Sequence, residues 1–137
     1  MTPILLDTCA AIWISDNDPL TDNAVIALND ARQSKAIVYV SPMSAWEIGM
    51  LISKGRYRAA LSANAWFDRL VGTDGAGLAD LSPGILIASS YLPGRPPDDP
   101  TDRILIATAR ENGFRIMTRD RKILSYANEG HVQAIVC

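Results

Sequence analysis

The chain has 137 residues, of which 48% are hydrophobic and 20% charged, with 13 basic against 15 acidic side chains and one histidine. That length suits one compact domain with its own core. A net charge of −2 argues against a surface that binds nucleic acid all over. The two cysteines, Cys9 and Cys137, stand at opposite ends and make no disulfide scaffold, so a reducing cytosol is the simpler setting. The amino-terminal run MTPILLDTCAAIWISDNDP lacks a basic flank and meets an aspartate after Ile4, Leu5 and Leu6. It reads as neither a signal peptide nor a membrane span, and a cytoplasmic protein is expected.

In chain order, ILLD (4–7) reads as a short buried strand ending in a carboxylate, with Asp7 or Thr8 able to cap a helix through Ile14. A loop and then a helix starting near Thr21 follow, with Val25, Ile26 and Leu28 expected on its buried side. AIVYV (36–40) is β-branched and too short for a helix, hence a second buried strand. Ser41 and Pro42 supply a cap and a first-turn proline for the helix PMSAWEIGMLISK, which Gly55 closes. SANAWFDRLV (62–71) is another helix, GTDGAG a turn, LADL (78–81) a third strand, and SPGILIASSYL a helix capped by Ser82. PGRPPDDP is a proline-rich loop. A helix then runs to about Asn112 and stops at Gly113, followed by the strand FRIMT, the short helix RDRKILSYA and a final strand VQAIV. Alternating strands and helices predict a single α/β domain over residues 1–137, a central parallel sheet with helices on both faces.

In such sheets, sites form outside the carboxyl ends of the strands. Asp7 ends the first strand, Asp120 lies two residues beyond FRIMT, and Asp102 opens the helix leading into that strand. Glu47 sits among Met43, Ala45, Trp46, Ile48, Met50 and Leu51. An unpaired buried carboxylate there costs several kcal/mol or titrates to neutral, although the helix could also turn Glu47 to water. Four oxygen ligands without a nearby histidine or cysteine suit a hard cation, Mg²⁺ or Mn²⁺ rather than zinc. Setting those four acids aside leaves 13 basic residues against 11 acidic ones, so a basic rim around an acidic pocket is compatible with the net charge. His131 reads as a loop residue, and neither cysteine has a metal or nucleophile partner in sequence. The glycine-rich nucleotide-binding patterns are absent. So is the paired aspartate of aspartyl phosphotransferases, since Thr8 and Cys9 follow Asp7.

These motifs together resemble the PIN-domain nucleases, in particular the VapC-type toxins of toxin–antitoxin pairs. ILLDTCAAIWI is similar to the family's opening strand with its first aspartate, and VSPMSAWEIGMLISKGR to the serine-led helix carrying the glutamate. DPTDRILIATA is similar to the third motif and TRDRKI to the fourth, in the family's order from residue 4 to the carboxyl terminus. Pro97 stands where many relatives have a histidine, and Thr101 where phenylalanine is common; neither is an expected ligand.

The resemblance implies a Mg²⁺- or Mn²⁺-dependent endoribonuclease in which Asp7, Glu47, Asp102 and Asp120 hold one or two ions and cleavage leaves a 5′-phosphate and a 3′-hydroxyl. Thr118 is then a hydroxyl that orients ligands or water. Arg103, Arg119, Arg121 and Lys122 are the candidates for RNA phosphates, with Arg56 and Arg58 weaker. It also implies a VapB-like antitoxin across an apolar groove and a homodimer. The rival reading is a PIN-like module that binds RNA or protein without cutting; the presence of all four acids speaks against it. Around the third motif, Asp99 reads as a helix cap before Pro100, Asp98 as a solvated charge, and Asp102 as a ligand at capping-box spacing. Trp13, Trp46 and Trp66 read as core or interface packing.

Overall fold

The computed structural model describes residues 2–137. Its centre is the strand β1 (Ile4–Leu6), whose three side chains are all buried. An uninterrupted apolar run suits a strand covered on both faces. The strand pairs in parallel with β2 (Val38–Val40) on one side and β4 (Arg115–Thr118) on the other. β3 (Ala76–Leu78) and β5 (Gln133–Val136) complete a five-stranded, all-parallel sheet in the order β3-β2-β1-β4-β5. The chain builds outward from β1 to β3, then crosses back to β4. The crevice between β1 and β4 is therefore the point where the winding reverses.

Alternate residues of the strands feed two cores. Ile4, Leu6, Val40 and Met117 pack towards α1 (Thr8–Ser15), α2 (Asp22–Ser34), α3 (Pro42–Ser53) and α4 (Ala63–Val71). Leu5 and Ile116 face the other way, onto α6 (Pro100–Asn112) and α7 (Arg121–Asn128), where Leu105, Ile106, Ile123 and Tyr126 are buried. The short α5 (Pro83–Ala88) leans on α6.

The local signals work as capping chemistry requires. Asp7, Thr21, Ser41, Ser62 and Ser82 each accept a first-turn amide. Gly113, at φ +70°, ends α6 in the left-handed region that a side chain would resist.

Three expectations are corrected. The buried face of α2 consists of Ala24, Ala27 and Ala31. Val25 and Ile26 are 44% and 56% exposed, while Leu28 is partly buried against the core. Positions 24, 27, 28 and 31 share one helical face, and small side chains let the helix sit close to the sheet. The third strand is Ala76–Leu78 rather than LADL, because Gly75 O accepts from Val38 N (2.9 Å) and Ala79 N already closes the ladder on Val40 O (2.8 Å). α5 also ends earlier than the sequence pattern suggested, at Ala88.

Candidate active site

Asp7 leaves the central strand at the winding reversal. Its backbone N–H donates to Met117 O across the crevice (3.1 Å), and its Oδ1 accepts from Ala10 N (2.7 Å), so the carboxylate caps α1 while being 7% exposed. Its other oxygen, Oδ2, accepts from the hydroxyl of Thr118 at the end of β4 (2.5 Å). Thr118 Oγ1 accepts in turn from Asp120 N (2.9 Å), which ties the first and fourth motifs through one wholly buried hydroxyl. Asp120 is the cap of α7, its Oδ1 accepting from Lys122 N (2.8 Å) and Ile123 N (3.2 Å).

Glu47 lies on α3, and its Oε1 accepts a short hydrogen bond from the Thr8 hydroxyl. That hydroxyl also contacts Ser44 Oγ (2.9 Å). Thr8 and Ser44, both buried, are contributors that the motif reading passed over. The signal was present: Thr8 directly follows Asp7, and Ser44 and Glu47 stand three apart on one helical face. Asp102 occupies the third position of α6 after Asp99 and Pro100. Asp99 has the backbone position of a cap but its side chain makes no capping hydrogen bond.

The acids act on one another. Burial, then Asp99, Asp120, Glu47 and Asp7 push the Asp102 carboxyl up to about 7. Burial raises Asp7, opposed by its bonds from Thr118 and Ala10 and reinforced by Asp120. Burial also raises Glu47, opposed by Thr8 and reinforced by Asp99 and Asp7. Even the Cys9 thiol, raised first by its own burial, feels all four of Asp7, Glu47, Asp120 and Asp102. No basic side chain forms an ion pair with any of the four acids among the described residues, where the one such contact joins His131 and Glu129.

An anionic, all-oxygen donor set without a neutralising cation fits a hard divalent ion by its chemistry. Among the described residues, no three acidic, histidine or cysteine side chains converge closely enough to hold one ion as they stand. As they stand, Asp7, Glu47 and Asp120 are each held by hydrogen bonds from neighbouring hydroxyl or backbone donors.

The basic candidates divide. Arg103 directs its guanidinium to the carbonyls of Ser89 (3.0 Å), Pro97 (3.3 Å) and Ser90 (3.5 Å). Arg119 donates to Pro19 O (3.0 Å) and lies 3.8 Å over the Trp13 ring. Arg121 and Lys122 are exposed at the start of α7. Of the other tryptophans, Trp66 is core, whereas Trp46, next to Glu47, is 56% exposed. No helix among the described residues is long and apolar enough to cross a membrane.

Comparison with known proteins gives the same fold. The chain is 29% identical over 126 residues to Ribonuclease VapC22 of Mycobacterium tuberculosis (strain ATCC 25618 / H37Rv), covering 92% of this chain and 93% of that protein. It superposes on a chain of VapBC2 from Rickettsia felis, solved with a promoter DNA fragment, with a TM-score of 0.70 at 11% identity over 98% of each chain. A DNA-bound VapBC structure from Salmonella typhimurium gives a TM-score of 0.66 at 16% identity, covering 99% of this chain and 98% of the other. The PIN domain family model matches residues 4–129, a span that takes in all four acidic motifs, and the chain belongs to that family.

Proposed function

We propose that this protein is a metal-dependent endoribonuclease, the toxin of a toxin–antitoxin pair. The observation that carries the reading is the placement of the acids at the reversal point of the sheet: Asp7 and Asp120 are joined through Thr118 at the ends of β1 and β4, Glu47 is held by Thr8 next to Asp7, Asp102 opens α6, and none has a basic partner among the described residues. The four carboxylates would hold Mg²⁺ or Mn²⁺. Such an ion lowers the pKa of an attacking water and offsets charge on the phosphate and the leaving oxygen. Thr118 fixes the rotamer of Asp7 and the backbone of Asp120 at once, and Thr8 with Ser44 does the same for Glu47. In-line hydrolysis leaves a 5′-phosphate and a 3′-hydroxyl. Arg121 and Lys122 lie on the strand-binding side.

The relatives named VapC and VapBC support a VapB-like antitoxin as partner. Exposed Trp46 on α3, with Ile87 (62% exposed) on α5 and Tyr91 (81%) just beyond it, offers apolar surface to that partner and to a second copy of the chain in a homodimer. The proposed setting is the cytoplasm, where the RNA is.

The test is cleavage of a labelled structured RNA pool by chelator-stripped protein with Mn²⁺ or Mg²⁺ restored, beside Asp7→Asn purified in the same way. Metal-dependent cuts with 5′-phosphate ends, absent from the variant, support the nuclease. Equal cutting by both proteins points to a contaminant, and absence of metal binding refutes the carboxylate site.

A further inference from the structure

Building on the nuclease reading, we propose that the proline-rich segment PGRPPDDP is a fixed arm holding Arg95 beside Arg121 and Lys122, and that the cleft between them binds a backbone phosphate of the RNA strand next to the bond being cut.

The segment has no regular structure, yet it is held at several points. The Tyr126 hydroxyl donates to Pro93 O. Gly94, at φ +67°, lies so close to the His131 ring that any side chain there would collide with it, and that ring packs against Tyr126 at 4.7 Å. Further along, Arg103 donates to Pro97 O (3.3 Å). Three prolines, Pro93, Pro96 and Pro97, restrict the backbone over this stretch. An arm so constrained fixes the backbone from which Arg95 projects, so that binding need order only the side chain.

The cleft beside the arm has a volume of about 310 Å³ and is lined by Arg95, Pro97, Asp98, Arg121, Lys122 and Tyr126, among others. Three cations against one carboxylate make it an anion site by charge. Among the described residues none of the three makes an ion pair, whereas Arg103 and Arg119 are engaged with backbone carbonyls. Both walls run directly into the carboxylate site. Arg121 follows Asp120, and the arm leads into α6, whose first turn carries Asp102. An anion continuous with a substrate at the carboxylates is therefore the neighbouring phosphodiester of the same strand. Guanidinium groups match its paired oxygens. Contacts of this kind set affinity and register rather than base preference.

The test measures binding apart from cutting. Anisotropy of a fluorescein-labelled single-stranded RNA is followed with Asp7→Asn protein, so that bound RNA survives, between about 50 and 200 mM salt. Adding Arg95→Ala should weaken binding about five- to tenfold and reduce the slope of log affinity against log salt by about 0.7, one phosphate's worth for a single strand. Arg95→Lys should recover part of both. Arg32→Ala on α2 should change neither, and a melting curve verifies that Arg95→Ala folds. RNA binding by the parent with unchanged affinity and slope in Arg95→Ala overturns the arm and leaves the nuclease reading intact. A parent that neither binds nor cuts any RNA overturns both.

Discussion

Replacing Asp102 by asparagine should stabilise the metal-free protein while abolishing cleavage. A carboxyl held at about 7 in the fold against its ordinary 3.8 costs about 4 kcal/mol once ionised, before screening. Asp102 is only partly buried, and solvent reduces that figure to about 1–2 kcal/mol. Asparagine forgoes a favourable charge in the first turn of α6, about 0.3–1 kcal/mol in the opposite sense. The net gain is about 1 kcal/mol, or roughly 3–6 °C in melting temperature for a chain of this size. The pH dependence follows from the direction of the shift. Between about pH 4 and 7 the folded protein retains a proton that the unfolded chain has lost, so stability falls as pH rises through that window and stays low above it. Asp7 and Glu47, also raised, act with the same sign. Thermal unfolding followed by circular dichroism in chelator should therefore place Asp102→Asn above the parent at pH 8 and level with it near pH 4. Saturating Mn²⁺ should reverse the order at pH 8, because only the intact site gains binding energy on folding. A variant no more stable than the parent at pH 8 in chelator, or a parent that gains stability from pH 5 to 8, would refute the reasoning.

Thr118→Val removes the donor to Asp7 and the acceptor for Asp120 N, and calorimetric titration with Mn²⁺ should register about a 10–100-fold loss of affinity. Arg103→Ala leaves the carbonyls of Ser89, Ser90 and Pro97 without their donor; amides in residues 89–99 should exchange hydrogen faster, with a stability loss of about 1–3 kcal/mol. On α2, Ala31→Leu should cost about 1–3 kcal/mol in urea unfolding by overpacking the closest face. Ile26→Glu on the outer face should change the stability of the monomer by no more than about 0.5 kcal/mol.

Much of the fold is legible in the sequence. Caps and apolar runs announced most elements because their causes are local: Ser41 and Pro42 start a helix by their own geometry, and Gly113 stops one. The four acids stand out as candidates in the sequence because strand ends and motif order single them out. The errors fall where the deciding partner is distant. Val25 and Ile26 are greasier than Ala24, Ala27 and Ala31, but the sheet admits only a shallow helix face. The bounds of β3 depend on which carbonyl Val38 meets, which no property of LADL reveals. Arg103 and Arg119 neighbour the acids in sequence, yet their guanidinium groups turn to carbonyls at Ser89 and Pro19. Arg95, four residues before the third motif, meets Arg121 and Lys122 across one cleft because Tyr126 and His131 hold its loop, contacts that no local pattern announces.

The pairing of β1 with β4 also governs when in a chain's life the site comes into being. The hydrogen bond from Thr118 to Asp7 joins residues 111 positions apart, and β1 cannot be flanked on both sides until β4 exists. At ordinary synthesis rates of about 5–20 residues per second, that separation corresponds to roughly 6–22 s in which Asp7 has been made and its partners have not. Contacts so far apart also form slowly once available. A nascent or prematurely terminated chain thus carries the first aspartate without the fold that would arm it. The order of the strands thus postpones the assembled site until nearly all of this sequence has been made.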